Sequence, residues 1–243
     1  MTGTHTQVFP STHWSIVLAA TGDGSQQARD SLEKLCRTYW YPMYAFVRHR
    51  GYSPEDSEDL VQGFFARLLE KEVLNQVNRE KGRFRSFLLA CLSNYLMQEW
   101  HRAQAQRRGA GYIHLSLETP GAEERYAQEA ASPLTPEELF DRAWAVGILQ
   151  QALEKLRGEF TAAGRGDLFD AVEGHLTGSR PCPGYGELAG RWRMSESALR
   201  MIVTRLRRRY GELLRLEILH TLQSAADVEH ELEDLLAVLA RQR

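Results

Sequence analysis

This sequence has few cysteines. It also lacks the Cys and His spacings of common metal sites and the long apolar runs of membrane proteins. The three cysteines, Cys36, Cys91 and Cys182, form no C-x-x-C pair, which excludes a zinc ribbon and is typical of a reducing compartment. The eight histidines form no H-x-x-x-H pair, so we expect no metal site, and nothing indicates a cofactor. No segment approaches the about 18 apolar residues of a membrane span, and the chain does not start with a basic, then apolar, leader. We therefore expect a cytoplasmic protein that makes no contact with a membrane.

Net charge is also small. The 243 residues carry a formal net charge of −2, so affinity for nucleic acid would have to come from local basic patches. Apolar residues make up 43%, which is enough for one large or two small cores. Strand-like alternation and internal repeats are absent, whereas helical periodicity recurs. The predicted fold class is all-α, with two small helical domains joined by a flexible linker and a helix-turn-helix in the second.

Capping signals and apolar spacing predict the helices. Ser53, followed by Pro54, has the pattern of a helix start, and Pro42 is expected to kink or interrupt the helix before it. Gly, Pro and acidic residues in 109–136 indicate a linker. Apart from the stretch below, the predicted helices are roughly 11–20, 25–50, 54–71, 82–108, 137–157, 167–176 and 227–240.

Residues 185–209 have the pattern of a helix-turn-helix. Ser195 is placed to cap the second helix, and Arg193 stands where the sharp turn usually has Gly. Arg193 must therefore adopt a left-handed conformation, or the turn must be wider. The second helix has an apolar side and a cationic side, which suits a DNA major groove. The alternative is a solvated basic helix in an ordinary bundle.

Two other helices carry informative side chains. Acidic residues crowd the first two turns after Pro54, where they could stabilise the helix dipole, act as paired carboxylates or form a protein-docking surface. No His, Lys or Gly-rich loop nearby completes a catalytic site, so we do not predict an enzyme. The helix expected at 82–108 interleaves aromatic residues with Arg and amides, a combination suited to melted DNA. For most of these aromatics, however, a place in the core is the favoured interpretation.

In this order, the DSEDLVQ segment, the FRSFLLACLSNYL segment, the linker and the helix-turn-helix resemble bacterial RNA polymerase sigma factors of the extracytoplasmic-function group. The resemblance covers roughly residues 29–215. It implies a subunit that binds core RNA polymerase through the beta-prime clamp helices and the beta flap, recognises and melts promoter DNA, and starts transcription. The implied segments are 1–28 (N-terminal extension), 29–108 (region two), 109–136 (linker), 137–220 (region four) and 221–243 (C-terminal acidic helix).

The resemblance also implies three contact surfaces. The surface for core polymerase comprises Asp56, Glu58, Asp59, Leu60 and Gln62. The surface for the minus-ten element comprises Phe84, Phe87, Asn94, Gln98, His101 and Arg102, with Asn94 near a flipped-base pocket. The surface for the minus-thirty-five element comprises Glu196, Ser197, Arg200, Met201, Thr204, Arg205, Arg207, Arg208 and Arg209. Phe87 replaces a common Trp, Arg193 replaces the turn Gly, and residues 157–184 lack the family's LPxxxRxxF-like run.

Other hypotheses stay open. A stand-alone helix-turn-helix regulator with a helical effector domain would explain residues 185–209 but leaves the acids at 56–62 without a role. A hydrolase or nucleotidyl-transfer enzyme lacks a phosphate-binding loop and a nucleophile arrangement. An anti-sigma factor or another inhibitor is a further potential partner. The acidic helix at 227–240 could pack on region four, on region two or on another protein, and one hypothesis is that it shields the arginines at 200–209.

Overall fold

All regular elements that the computed structural model describes are helical. It describes residues 26–68, 83–106, 121–129, 133–178, 182–222 and 224–240. The helices are α1 (Gln26–His49), α2 (Pro54–Leu68), α3 (Phe84–Gln106), α4 (Ala122–Glu129), α5 (Pro136–Ala162), α6 (Gly166–Thr177), α7 (Tyr185–Trp192), α8 (Glu196–Thr221) and α9 (Val228–Ala240), with a 3-10 turn at Ala225–Asp227. The predicted all-α class is confirmed, and the helix expected at 11–20 lies outside the described residues. None of the described helices is long and apolar enough to cross a membrane.

Side-chain caps start three of these helices. The Ser53 hydroxyl accepts a hydrogen bond from the Asp56 amide at 3.0 Å, and the Ser195 hydroxyl accepts one from the Ala198 amide at 3.2 Å. Both predicted caps are therefore confirmed. At the start of α5, Thr135 and Glu138 form a reciprocal capping box, in which each side chain accepts a bond from the other residue's amide.

Helix α1 runs through Pro42 without interruption. A proline inside a helix removes one backbone hydrogen bond, so another interaction must hold this turn together. Tyr39, Met43 and Tyr44 on either side of Pro42 are fully buried. Core packing thus outweighs the local preference, and the predicted interruption is wrong.

The described residues form two compact units. The first contains residues up to 146 together with those from 219 onwards, and the second contains residues 147–218. The boundaries lie inside α5 and α8, whereas the sequence predicts them at 137 and 220. The first turns of α5 belong to the first unit because their aromatic side chains are buried there. Phe140 contacts the Phe46 ring edge-on at 6.4 Å between ring centroids.

Part of the predicted linker is an ordered helix of the first unit. In α4, Glu123 forms an ion pair with Arg48 at 2.7 Å, and Glu129 accepts a hydrogen bond from the Tyr41 hydroxyl at 2.8 Å. Tyr126 is buried between these contacts and lies under the Arg48 guanidinium. Two of the acidic residues that suggest a solvated linker, Glu123 and Glu129, are thus the groups that attach α4 to α1.

The second unit has its own core. Leu156, Phe169, Leu188, Leu199 and Leu206, contributed by all four helices of the unit, are almost completely buried. The Tyr210 hydroxyl donates a hydrogen bond to the Leu149 carbonyl at 3.1 Å, which fixes α8 against α5. This core holds the helix pair α7 and α8, which carries the candidate site.

Candidate nucleic-acid interface

Helices α7 and α8 are joined by a tight turn at Arg193. This residue has φ 50° and ψ 43°, and it is the one non-Gly residue with positive φ in the described part of the chain. The Met194 amide closes the turn by donating to the Ala189 carbonyl at 3.0 Å. A non-Gly residue in this conformation is strained by roughly 1 kcal/mol. The turn is therefore tight and left-handed, the first of the two options that the sequence leaves open.

Helix α8 divides into a buried side and an exposed side. Leu199, Ile202, Val203 and Leu206 are buried, and Met201 is 57% exposed. The predicted contact residues that are exposed to solvent are Glu196, Ser197, Arg200, Met201, Thr204, Arg205, Arg207 and Arg208. An exposed stripe of Arg, Ser, Thr and Met side chains can reach both phosphates and base edges.

The arginines on this stripe differ in how they are held. Arg200 forms an ion pair with Glu196 at 3.3 Å, and its guanidinium lies 4.7 Å from the centre of the Tyr185 ring. Arg208 is paired with Glu212 at 3.2 Å. Arg205 has no ion pair or hydrogen bond among the described residues. Arg200 is therefore oriented before any ligand binds, whereas Arg205 is not.

Arg209 and Arg207 form hydrogen bonds with other residues of the second unit. Arg209 donates two hydrogen bonds to Glu159 of α5, at 2.6 and 2.9 Å, and a third to Glu212. These bonds raise the pKa of Arg209, and they lower the pKa of Glu159. Arg207 donates to the backbone carbonyl of His175 at 2.8 Å. The Arg209 guanidinium thus joins α8 to α5, and because its side chain is 42% exposed, the predicted contact with DNA stays a prediction.

Helix α3 of the first unit carries the residues expected to contact the minus-ten element. Asn94, Gln98, His101 and Arg102 are exposed. The first three share one face, because their spacing of four and three residues matches the helical period. Amide, imidazole and guanidinium groups on one face suit single-stranded bases and their phosphates.

Phe84 does not belong to this exposed face. It is completely buried and packs edge-on against Tyr39, with 5.5 Å between ring centroids. Phe87 is half-buried and contacts the Phe84 ring. The predicted base contact of Phe84 is therefore corrected: its ring is core, and stacking on a base would require the first unit to open.

Trp100 and Met97 are aromatic and apolar groups on α3 that the sequence reading does not single out. Trp100 is 51% exposed and Met97 is 61% exposed, and the Trp100 ring lies 4.9 Å from the His101 ring. Met97 falls outside the buried row Phe84, Leu88, Leu92 and Leu96, whereas Trp100 continues its four-residue spacing and is nevertheless exposed. The spacing therefore indicates exposure for Met97, but no local signal distinguishes Trp100 from the buried row.

The start of α2 has an acidic surface above an apolar base. Asp56 and Asp59 are exposed, Glu58, Leu60 and Gln62 are half-exposed, and the buried residues of α2 are Ser57, Val61, Phe64, Phe65 and Leu68. The five predicted polymerase contacts thus all reach the surface. This arrangement allows docking of a basic partner, with Leu60 as an apolar contact within the acidic patch.

The acidic helix α9 is held by basic residues of the first unit. Glu231 is 1% exposed and pairs with Arg83, with 2.8 Å between Oε2 and Nε, and with Arg85. Arg83 also pairs with Asp234, and Arg85 pairs with Asp141 at 3.1 Å. Of the three burial partners considered, α9 contacts Arg83 and Arg85, which lie in the segment expected to be region two. Glu231 and Asp234 are thus paired within the first unit, and the hypothesis that α9 shields the arginines at 200–209 stays a prediction.

Comparison with known proteins does not identify a family for this chain. No family model, no curated protein and no solved structure matches this chain. Among the described residues, no group of three His, Cys, Asp or Glu side chains is arranged to hold a metal ion.

Proposed function

We propose that the protein is a sigma factor of bacterial RNA polymerase, similar to the extracytoplasmic-function group, which binds core polymerase and directs it to promoters. The observation that carries the proposal is the separation of charge between the two units. The first unit presents the exposed acids of α2, and the second presents the exposed arginines of α8. A subunit that links a basic protein surface to DNA needs both.

The second unit supports recognition of double-stranded DNA. The exposed row on α8 follows a capped and tightly turned helix start, which is the geometry of a recognition helix. Each good bidentate contact between an arginine and a guanine contributes about 1–3 kcal/mol of discrimination. Arg200 and Arg205 are the candidates for base contacts, and Arg208 is the candidate for a phosphate contact.

The first unit supports capture of separated strands. Asn94, Gln98 and His101 lie on one exposed face of α3, next to the exposed Trp100 ring. Stacking of one base on an aromatic ring contributes about 1–3 kcal/mol. We therefore place the minus-ten contact on this face and assign the stacking role to Trp100 instead of the buried Phe84.

A stand-alone helix-turn-helix regulator is the alternative, and the acidic patch on α2 distinguishes the two functions. A regulator needs the exposed face of α8 but has no use for Asp56 and Asp59. Dipole stabilisation alone does not explain why Leu60 and Gln62 share the same surface. The regulator would be favoured if substitutions in this acidic patch did not weaken binding to any protein partner.

Binding to core polymerase tests the proposal. Asp56→Arg with Asp59→Arg reverses two exposed charges and should abolish co-purification of the full chain with bacterial core RNA polymerase at physiological salt. The control is Glu154→Arg with Glu233→Arg, which changes the net charge equally at two exposed acids that are unpaired among the described residues. Equal binding by both variants and the wild type would contradict the assignment of this surface.

A further inference from the structure

We propose that Tyr185 is a specificity-determining residue, which positions Arg200 to read one base pair of the DNA. The proposal rests on the proposed function, because it requires α8 to lie in a major groove. Tyr185 is the first residue of α7, and its ring contacts both the Arg200 guanidinium, at 4.7 Å, and the His175 ring, at 4.4 Å. We therefore call it a positioning residue: it acts on DNA through Arg200.

The ring of Tyr185 is itself fixed by the end of α6. The His175 ring is stacked on it with 17° between the ring planes. The His175 Nε2 lies 3.0 Å from the Pro183 carbonyl, which can only accept, so this nitrogen carries a proton. The His175 backbone carbonyl accepts the bond from Arg207 of α8. Tyr185 therefore sits in a set of contacts that joins α6, α7 and α8.

Arg200 is held from its second side by Glu196, and a glycine makes room for that contact. The Glu196 Oε2 accepts from Arg200 at 3.3 Å. A Cβ atom at Gly186 would lie 3.1 Å from the other carboxylate oxygen, so the carboxylate packs against the first turn of α7. Two contacts on the guanidinium, one ionic and one with an aromatic face, restrict an otherwise flexible side chain.

Such restriction affects recognition because an arginine loses rotamer freedom when it binds. Immobilising a rotamer-rich side chain weakens binding, and a side chain that is already oriented loses less. Arg205 supplies the internal comparison, since it lies on the same exposed side of α8 without a described partner. We therefore expect the strongest base preference at the pair that Arg200 contacts.

The test begins with a selection from a library of random duplex DNA. The full chain, alone and bound to core polymerase, selects the motif, and the Kd is then measured for the motif and for each single-base-pair variant of it. Arg200→Ala identifies the base pair at which discrimination disappears. Tyr185→Leu removes the aromatic face, Tyr185→Phe retains it, and Arg205→Ala marks a different position.

We expect Tyr185→Leu to reduce discrimination about 3- to 10-fold at the pair identified by Arg200→Ala, with no change at the Arg205 position. Tyr185→Phe should behave as the wild type, and Tyr185→Leu should add nothing to Arg200→Ala. If Tyr185→Leu lost helical structure and bound all the single-base-pair variants more weakly, the role of Tyr185 would be structural and the proposal would be overturned. Unchanged discrimination in Tyr185→Leu would overturn it as well. If the wild type selects no motif in either form, the proposed function itself fails.

Discussion

The buried carboxylate of Glu231 offers the sharpest test of how the C-terminal helix is attached. Its side chain and that of Arg85 are 2% and 7% exposed, so neither charge has water to replace a lost partner. Burial also lowers the pKa of Arg85, a sign that its charge is costly to keep at this position. Glu231→Gln removes one charge of the pair and keeps the size of the side chain.

The size of the effect follows from the remaining partners. Breaking a buried ion pair by removal of one partner costs about 3–5 kcal/mol. After the substitution, Arg85 keeps Asp141, and Arg83 keeps Asp234. These carboxylates are partly exposed and compensate only partly, so we expect a loss of about 3 kcal/mol, at the low end of that range.

Hydrogen exchange of the full chain is the suitable assay, because two compact units need not unfold together. A loss of about 3 kcal/mol corresponds to about 100-fold faster exchange of amides in α9 and at the start of α3. The control is Glu233→Gln on the same helix, an exposed residue without an ion pair among the described residues, which should change exchange less than about 2-fold. Equal exchange in the two variants would refute the reasoning.

Two further variants define the mechanism. Glu231→Leu with Arg85→Met removes both buried charges and should recover much of the protection, because an apolar pair of similar size is often as stable as a buried ion pair. Truncation after Leu222 should destabilise the first unit without tightening binding to promoter DNA. Tighter binding by a truncated chain that is still folded would instead support the autoinhibition hypothesis.

Three other predictions concern packing, pH and thiol chemistry in the first unit. A methyl group at Gly63 would overlap the Tyr95 hydroxyl, so Gly63→Ala should lower the free energy of unfolding in urea by about 1–3 kcal/mol. Adding Tyr95→Phe should restore the stability, and a failure to do so would exclude this clash as the cause. The hydrogen bond from Arg48 lowers the pKa of Glu123 below its ordinary value of 4.5, so its stabilising effect is present above that value and is lost as pH falls through the lowered pKa. Amide protection of α4 should therefore fall in acid, less steeply in Glu123→Gln, and an equal fall in both proteins would contradict this. Burial raises the pKa of the Cys36 and Cys91 thiols to about 11, so iodoacetamide at pH 8 should label them far more slowly in the native than in the urea-unfolded chain, and equal rates would contradict their burial.

Local signals in the sequence were sufficient to predict most of the described helices, but not α4, which lies in the segment expected to be a linker. Ser53 and Ser195 cap their helices as expected, because a cap depends on residues three positions apart. The left-handed turn at Arg193 was one of two expected outcomes for the same reason. Pro42 shows the limit, since the packing of α1 in the core outweighs the local preference of proline.

The candidate site was predictable only where exposure follows from helical period. The exposed arginines of α8 were expected, but the pairing of Arg209 with Glu159 joins residues 50 positions apart, which no local pattern indicates. The pairing of Arg83 with Asp234 across 151 positions is of the same kind. A family motif likewise assigned a DNA contact to Phe84 because a motif does not state which side of a helix is buried, and Trp100 was overlooked for the same reason.

Transcription in a purified system tests the central claim most directly. Core RNA polymerase is incubated with genomic DNA fragments, with and without the full chain, and the 5′ ends of the transcripts are sequenced. The proposed function predicts new, discrete start sites that share upstream sequence elements and disappear with Asp56→Arg and Asp59→Arg. A chain that binds DNA but creates no start site, or only represses existing ones, would contradict the sigma-factor assignment and favour the stand-alone regulator.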